Sequence, residues 1–424
     1  MNQGTSPMSR RLLLPASPLG WAALAVVLVA VPLHASLRSV AGGMDNGIVV
    51  HAARVWLDGG SPYADPHFLY FPSAVLAAVP QALLPAGVLR WTVPALVTCG
   101  LVAGWAAALR LHGVPWRSRL AVGGLLALVL GFAPFAHLVA LGNWTVTAAV
   151  ALPCALLLAA RDRWTAAGLV LGAALALKPL LAPVALLFVL ARRGPALAAV
   201  VLVPVVASLG AALAMPDPAG FVTRTLPFLL RGDDGFVRLY EASPGAVLAR
   251  LGLPAPAATG IALAGAAAGL WCAWRRWASG ASAVSRAGGG SGDGDAARIS
   301  ETAALLMLSA FLVSRPSYDH YLLVAVPLLV AGATAVGAPA GGGWFWLALL
   351  PQVPGLAWPW LDTEVRRAFL DCATLCGLVA AVGLRGAARA PAAPDPSGAA
   401  GPAAVPGSRD EHVLTRPGRR GYSA

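Results

Sequence analysis

RDRWTAAGLVLGAALALKPLLAPVALLFVLARR, residues 161–193, is the stretch on which the reading of the chain turns. Arginines stand at both ends, and the apolar sequence between them is interrupted once, at Lys178-Pro179. The two halves, about 164–177 and 180–191, are unusually short for helices crossing a hydrocarbon core of ~30 Å. Breaks of this kind occur where the backbone lines a cavity rather than lipid. A charge at membrane depth costs at least ~2.5–3.5 kcal/mol on insertion scales, so Lys178 needs a partner or a watery cavity. A fixed cation beside a lipid-facing cavity suits a lipid phosphate, the alternative being that the side chain snorkels to the headgroups.

The composition agrees with that local reading. Of the 424 residues, 58% are hydrophobic and 11% charged, whereas a soluble domain is nearer ~45–50% apolar and ~25% charged. A soluble enzyme, a secreted disulfide scaffold and a disordered chain are excluded. The fold class is an all-α polytopic membrane protein. Lys178 is the one lysine among 30 basic residues. The arginines sit at segment ends and in the tails, so the net charge of +12 reads as topology and attraction to anionic lipid, not as a nucleic-acid surface. Cys99, Cys154, Cys272, Cys372 and Cys376 all lie in apolar segments and read as packed thiols without a disulfide framework.

Arg10 and Arg11 precede an apolar run from about 20 to 37, an uncleaved first helix whose amino-terminal side, residues 1–19, is cytoplasmic by the positive-inside rule. A long outside loop follows to about Arg90, with short interfacial helices expected at Ile48–Leu57 and Phe71–Leu84. Further spans are expected near 91–109, 120–140, 144–160, 164–177, 180–191, 196–214, 255–274, 302–313, 321–337, 343–358 and 367–384. The total is about twelve, in a membrane domain covering 20–385. Residues 277–300 read as a flexible cytoplasmic linker and 386–424 as a disordered cytoplasmic tail. At least ten of the 18 acids then fall outside: Asp45, Asp58, Asp65, Asp217, Asp233, Asp234, Glu241, Asp319, Asp362 and Glu364. The outer face reads as the working face.

Four outside elements carry candidate chemistry. Asp45, in Gly42-Gly43-Met44-Asp45-Asn46, suits a general base for a hydroxyl nucleophile, although on these residues alone a solvated loop acid or a helix N-cap for the segment from Ile48 is the simpler reading. The turn at Gly59-Gly60-Ser61-Pro62-Tyr63 leads into Asp65-Pro66-His67-Phe68-Leu69-Tyr70, whose aromatics suit an interface or a substrate. Lys178 is the third. The fourth is Ser314-Arg315-Pro316-Ser317-Tyr318-Asp319-His320-Tyr321, with a cation, a carboxylate and an imidazole within six residues. Arg224, Arg231 and Arg238 add cations that suit phosphate or anionic headgroups. The glycine runs at 288–290 and 341–343 lack a nucleotide-binding context, so a group-transfer reaction would draw on a lipid-linked donor.

In their order along residues 20–385, these motifs resemble glycosyltransferase family 87, multi-span transferases of the GT-C superfamily that use polyprenyl-phosphate sugars. The residues that carry the resemblance are Asp45, the Gly-Gly-x-Pro-Tyr turn, the aromatic-Pro segment, the Gly142-Asn143 turn, Leu177-Lys178-Pro179 and the Ser-x-Pro-x-x-x-His-Tyr loop. Asp65 to Tyr70, Leu177 to Leu181 and Asp217 to Pro227 are similar to the arabinofuranosyl-transferring branch of cell-wall synthesis, while other members transfer mannose. Met44 beside Asp45, and Phe71-Pro72 in place of a double proline, depart from that branch and leave the donor sugar open. The resemblance implies an inverting transfer at the outer face of the plasma membrane to a cell-envelope glycan or glycolipid. It makes Asp45 the base and Lys178 the phosphate holder, helped by Arg224, Arg315 and His320. Tyr63, Asp65, His67, Tyr70, Asn143 and Asp319 would bind substrate. The scheme requires no metal or other cofactor, and a lipid-linked-sugar flippase or transporter is the alternative of another class.

Overall fold

Serine caps and early prolines set several of the helix boundaries. Ser17 Oγ accepts from Gly20 N at 3.1 Å ahead of Pro18, and Ser118 Oγ accepts from Ala121 N at 3.1 Å. A computed structural model of the protein describes residues 7–231, 240–287, 292–356 and 363–388. In chain order its helices begin with α1 (Pro7–Leu13), α2 (Pro18–Arg38), α3 (Met44–Leu57), α4 (Pro72–Ala82), α5 (Ala86–Leu111), α6 (Arg119–Gly131) and α7 (Ala133–Leu141). Next come α8 (Thr145–Ala160), α9 (Trp164–Leu177), α10 (Ala185–Leu190), α11 (Gly194–Leu213) and α12 (Leu226–Arg231). The remainder are α13 (Pro244–Arg250), α14 (Ala255–Ala287), α15 (Gly292–Val313), α16 (Val326–Ala331), α17 (Gly343–Leu349) and α18 (Thr363–Ala388). Short 3-10 turns at Pro179–Val184 and Asp319–Val324 lead into α10 and α16.

The fold is the expected all-helical membrane protein, but the structure does not reproduce twelve full spans. Among the described residues, six helices (α2, α5, α11, α14, α15 and the Arg366–Arg385 part of α18) are long and apolar enough to cross a membrane. The number becomes seven if α6 and α7, bent by 70°, count as one span. The other apolar segments form short helices, among them Thr145–Ala160, Trp164–Leu177, Pro179–Leu190 and Asp319–Ala331. Their physical reason is burial. Leu152, Leu171, Leu181 and Leu323 are almost wholly enclosed by neighbouring helices, so such a piece need not present a full hydrocarbon-length face to lipid.

The first long loop is also more ordered than a connector. The helix expected from Ile48 begins at Met44 and so takes Asp45 into its first turn. Arg54 donates from Nε to Ala82 O and from Nη2 to Leu84 O, both at 3.1 Å, tying α3 to the end of α4. Trp56 Nε1 donates to Ala214 O at 3.0 Å and ties α3 to α11. The linker expected over 277–300 is helical on both sides: α14 continues to Ala287 and α15 starts at Gly292, with 288–291 outside the described residues. Arg276 Nη2 meets Glu301 Oε2 at 2.8 Å, and the Arg298 guanidinium lies 4.5 Å from the Trp277 ring centre. These contacts join the two helices where composition alone suggested slack. Of the expected tail, the helix α18 includes 386–388 and the remainder lies outside the described residues, as do Asp233, Asp234, Arg238 and Asp362 and the side chains of Arg231 and Glu364.

Helix direction sorts the polar residues to two ends. Arg119 N donates to Leu14 O at 2.7 Å, Arg193 Nη2 meets Asp162 Oδ1 at 2.7 Å, and Trp277 Nε1 donates to Leu190 O at 3.0 Å. These contacts mark the arginine-rich end. At the opposite ends of α5, α8 and α9 stand the start of α3, the turn at Asn143, and Lys178. Two glycine-dependent contacts fasten this end. Gly142 has φ +62° and a Cβ there would lie 2.2 Å from Gly42 O; Gly43 has φ +109° and a Cβ there would lie 2.4 Å from Leu141 O. The Asp45 segment and the Asn143 turn therefore touch backbone to backbone. Gly142→Ala is expected to destabilise the protein by about 2 kcal/mol or more, from strain and overlap together. Gly123→Ala, where an added Cβ meets nothing within 4 Å, is expected to leave stability unchanged. Unfolding of the two purified variants in detergent checks the contrast.

Candidate functional site

Four chain breaks supply the site: the start of α3, the turn between α7 and α8, the break after α9, and the loop after α15. Proline sets two of them. Lys178 follows Leu177, the last residue of the first half-helix, and ahead of Pro179 it is extended at φ −148°, ψ 123°. Pro134 opens α7 after the bend at Phe132, and α7 carries the chain to Gly142-Asn143. The residue ahead of a proline is driven out of the helical region, so the Lys178 backbone leaves the helix as its sequence requires.

Lys178 is 9% exposed. Its Nζ donates to Asn143 Oδ1 and to Thr145 Oγ1, both at 2.8 Å, and lies 5.1 Å from the Tyr321 ring centre and 5.6 Å from that of Tyr70. Two hydrogen bonds and two aromatic faces offset much of the cost of burying the ammonium. Asn143 passes the connection on. Its Oδ1 also accepts from Thr145 N at 2.7 Å, and its Nδ2 donates to Asp45 Oδ2. Asp45 and Lys178 are thus joined through a single amide. Asn46 next to Asp45 accepts from Trp144 Nε1 at 3.1 Å, a second link between the two segments.

Two cavities open on Asp45. The first, of about 260 Å³, is lined by Asp45, His67, Tyr70, Asn143, Lys178 and Arg315, with Tyr318 and Tyr321. The second, of about 250 Å³, is lined by Asp45, Met44, Leu141, Tyr240, Tyr318, Asp319, His320 and Arg367. Asp45, Met44 and Tyr318 belong to both. Asp319, 2% exposed, is shared by two partners absent from the sequence reading: His137 Nδ1 and Arg367 Nη2, the latter at 2.8 Å, both address its Oδ2. The His320 imidazole is also buried, and neither ring nitrogen has a well-aligned hydrogen-bond partner, although Asp319 Oδ1 lies 3.3 Å from Nδ1.

The remaining expected residues are placed differently. Arg315 reaches the first cavity while lying 3.7 Å from Glu241 Oε1, so its charge is partly balanced. Arg224 lines neither cavity, and it pairs with Asp217 at 3.1 Å on the exposed surface. Tyr63 also lines neither cavity. Burial pushes its hydroxyl well up, so it stays protonated and donates to Tyr70 O at 3.2 Å, packed against Phe68 and Phe221. Asp65 accepts from His67 N at 2.9 Å and contacts His67 Nδ1 at 3.0 Å; it orients His67 rather than lining a cavity itself. His137, Thr145 and Arg367 sit in helices whose sequence offers no local motif. A charge-bearing residue near the end of an apolar run was the one signal present for His137 and Arg367.

The model of glycosyltransferase family 87 matches residues 68–291, more than half of the 424. The chain belongs to glycosyltransferase family 87. It is also similar to the alpha-(1->3)-arabinofuranosyltransferase of Mycobacterium tuberculosis (strain ATCC 25618 / H37Rv), 35% identical over 180 residues, 41% of each chain. The protein of the same name from Mycolicibacterium smegmatis (strain ATCC 700084 / mc(2)155) is 32% identical over 177 residues, again 41% of each. The match thus spans about two fifths of the length of these curated relatives. No solved structure matches the chain. Tyr70, Asn143 and Lys178 lie within the residues matched by the family, whereas Asp45, Arg315, Asp319 and His320 lie outside them and stand on geometry.

Asp319→Ala is expected to destabilise the protein by about 3 kcal/mol, because it leaves Arg367 and His137 without their common carboxylate. Asp319→Asn keeps an acceptor and is expected to cost less. Detergent-phase unfolding of the two variants measures the difference.

Proposed function

We propose that this chain is an inverting membrane glycosyltransferase that moves arabinofuranose from a polyprenyl-phosphate donor to a cell-envelope glycan or glycolipid. The observation that carries the reading is the position of Asp45 on the wall common to both cavities, with Lys178 facing one of them. The donor occupies the first cavity, its phosphate against the Lys178 ammonium with Arg315 nearby. The acceptor occupies the second, where Asp319, Arg367 and the His320 imidazole offer hydrogen bonds to hydroxyls and Tyr240 and Tyr318 offer aromatic faces.

Transfer is then a single displacement. The Asp45 carboxylate takes the proton of an acceptor hydroxyl as its oxygen bonds to the anomeric carbon. The bond from that carbon to the phosphate oxygen breaks with its electron pair, and the polyprenyl phosphate leaves with the charge that Lys178 stabilises. Attack from the face opposite the phosphate inverts the anomeric centre. The arabinofuranosyl transfer for which the relatives are named favours arabinofuranose over mannose as the sugar. The positive-inside rule, under which the arginine-rich end would lie in the cytoplasm, supports a reaction at the outer face of the plasma membrane.

Purified protein supplied with synthetic farnesylphosphoryl arabinofuranose or farnesylphosphoryl mannose, and an octyl arabinofuranoside acceptor, is expected to turn over the first donor and not the second. Preference for mannose would overturn the sugar, and movement of donor across vesicles without any transfer would overturn the enzyme. Asp45→Asn is expected to lower turnover by about a hundredfold or more with unfolding unchanged. For the topology, His67→Cys in a chain whose native cysteines are serine is expected to react with a membrane-impermeant maleimide in whole cells.

A further inference from the structure

We infer that Asn143 is a positioning residue for the transfer: an amide locked by Lys178 that presents Asp45 to the acceptor by one defined oxygen. The inference rests on the proposal that Asp45 is the base, and it goes beyond it by giving that base a fixed orientation.

The locking follows from donor and acceptor chemistry alone. Thr145 N–H and the Lys178 ammonium are donors, and both meet the same Asn143 atom, at 2.7 and 2.8 Å. That atom must be the amide oxygen, since an NH2 group cannot accept from either. The NH2 is therefore forced to the other side, where it donates to Asp45 Oδ2. A flipped amide would lose two bonds at Oδ1 and set its oxygen against a carboxylate. Asn143 is 4% exposed, so water does not readily replace these partners. The backbone contact of Gly142 with Gly42 holds the two segments at this spacing. With Oδ2 engaged by the amide, Oδ1 of Asp45 is the atom left for the acceptor hydroxyl.

The arrangement also separates two tasks. Two of the three ammonium hydrogens of Lys178 face Asn143 and Thr145, and the third, with the charge, is available to the phosphate. Loss of the amide leaves Lys178 on Thr145, so donor binding persists while the base loses its alignment. Displacement of a reacting group by about 1 Å costs rate on the order of a hundredfold.

Asn143→Asp gives a sharper readout. It keeps an acceptor for Lys178 and Thr145 N but turns a second carboxylate oxygen toward Asp45 Oδ2. Two carboxylates in contact cannot both ionise easily and retain a shared proton to higher pH. Across the first cavity Asp45 also faces Lys178, Arg315, His67 and Tyr70; across the second it faces Asp319, His320, Arg367 and Tyr240. Tyr318 lines both and Tyr321 lines the first. All of these are common to wild type and variant, so the difference between their pH profiles isolates position 143.

The test is the pH dependence of kcat/KM, with kcat and both KM values, for wild type, Asn143→Asp and Asn143→Ala, using farnesylphosphoryl arabinofuranose and the octyl arabinofuranoside. Asn143→Ala is expected to lower kcat by about 10- to 100-fold with both KM values within about threefold of wild type. Asn143→Asp is expected to move the acid limb up by at least about one pH unit. A tenfold rise in either KM with kcat unchanged would make Asn143 a substrate ligand and overturn the inference, as would an Asn143→Asp profile that superposes on wild type. If Asn143→Ala does not fold, the Asn143→Asp profile decides alone. Near-wild-type transfer by Asp45→Asn would instead remove the base reading, a failure distinguishable from loss of the positioning role alone.

Discussion

A primary ammonium enclosed by protein is the constraint to which the rest of this end of the molecule answers. Lys178 keeps its charge only if donors find acceptors, and the acceptors come from the α7–α8 turn, not from its own helix. That turn must therefore meet the broken end of α9. It also touches the Gly42-Gly43 segment, where no room is left for a side chain on either surface. The position of Asp45 follows from these contacts. The bend at Phe132, the Lys-Pro break and three glycines serve one short network of hydrogen bonds.

Asp319 provides a counterpart on the far side of Asp45. One carboxylate oxygen receives both His137 from α7 and Arg367 from α18, so the second cavity is braced by elements 182 and 48 residues away from Asp319 in sequence. The helix α7 contributes to both networks, through Asn143 beyond its end and through His137 on its body. A displacement of this one short helix would alter both cavities together.

Much of this was legible in the sequence, for identifiable reasons. A single lysine beside a proline in an apolar run marks a helix break wherever it occurs, and Gly-Asn marks the turn that meets it. The partners of Asp319 were hidden because His137 and Arg367 come from apolar helices whose orientation only packing fixes. The pairing of Arg224 with Asp217 was not foreseen because a role at the phosphate is as consistent with the sequence of that loop. The described residues hold six or seven helices of full span length against about twelve expected spans, because apolarity reports burial, and a short helix enclosed by other helices is as apolar as one in lipid. Residues 277–300 misled in the opposite sense: Gly, Ser and Asp suggested slack, while Arg276–Glu301 and Arg298–Trp277 fastened the helices across it.

The scarcity of lysine has a practical consequence. Apart from the amino terminus, the nitrogen at the centre of the network is the only primary amine in the sequence. Cells fed lysine labelled with nitrogen-15 on the side chain would therefore label this atom alone, in a protein otherwise silent. Its resonance would report on a bound phosphate, on a turned amide or on an altered Asp45 without any engineered probe, in a membrane protein too large and too repetitive in alanine and leucine for routine assignment.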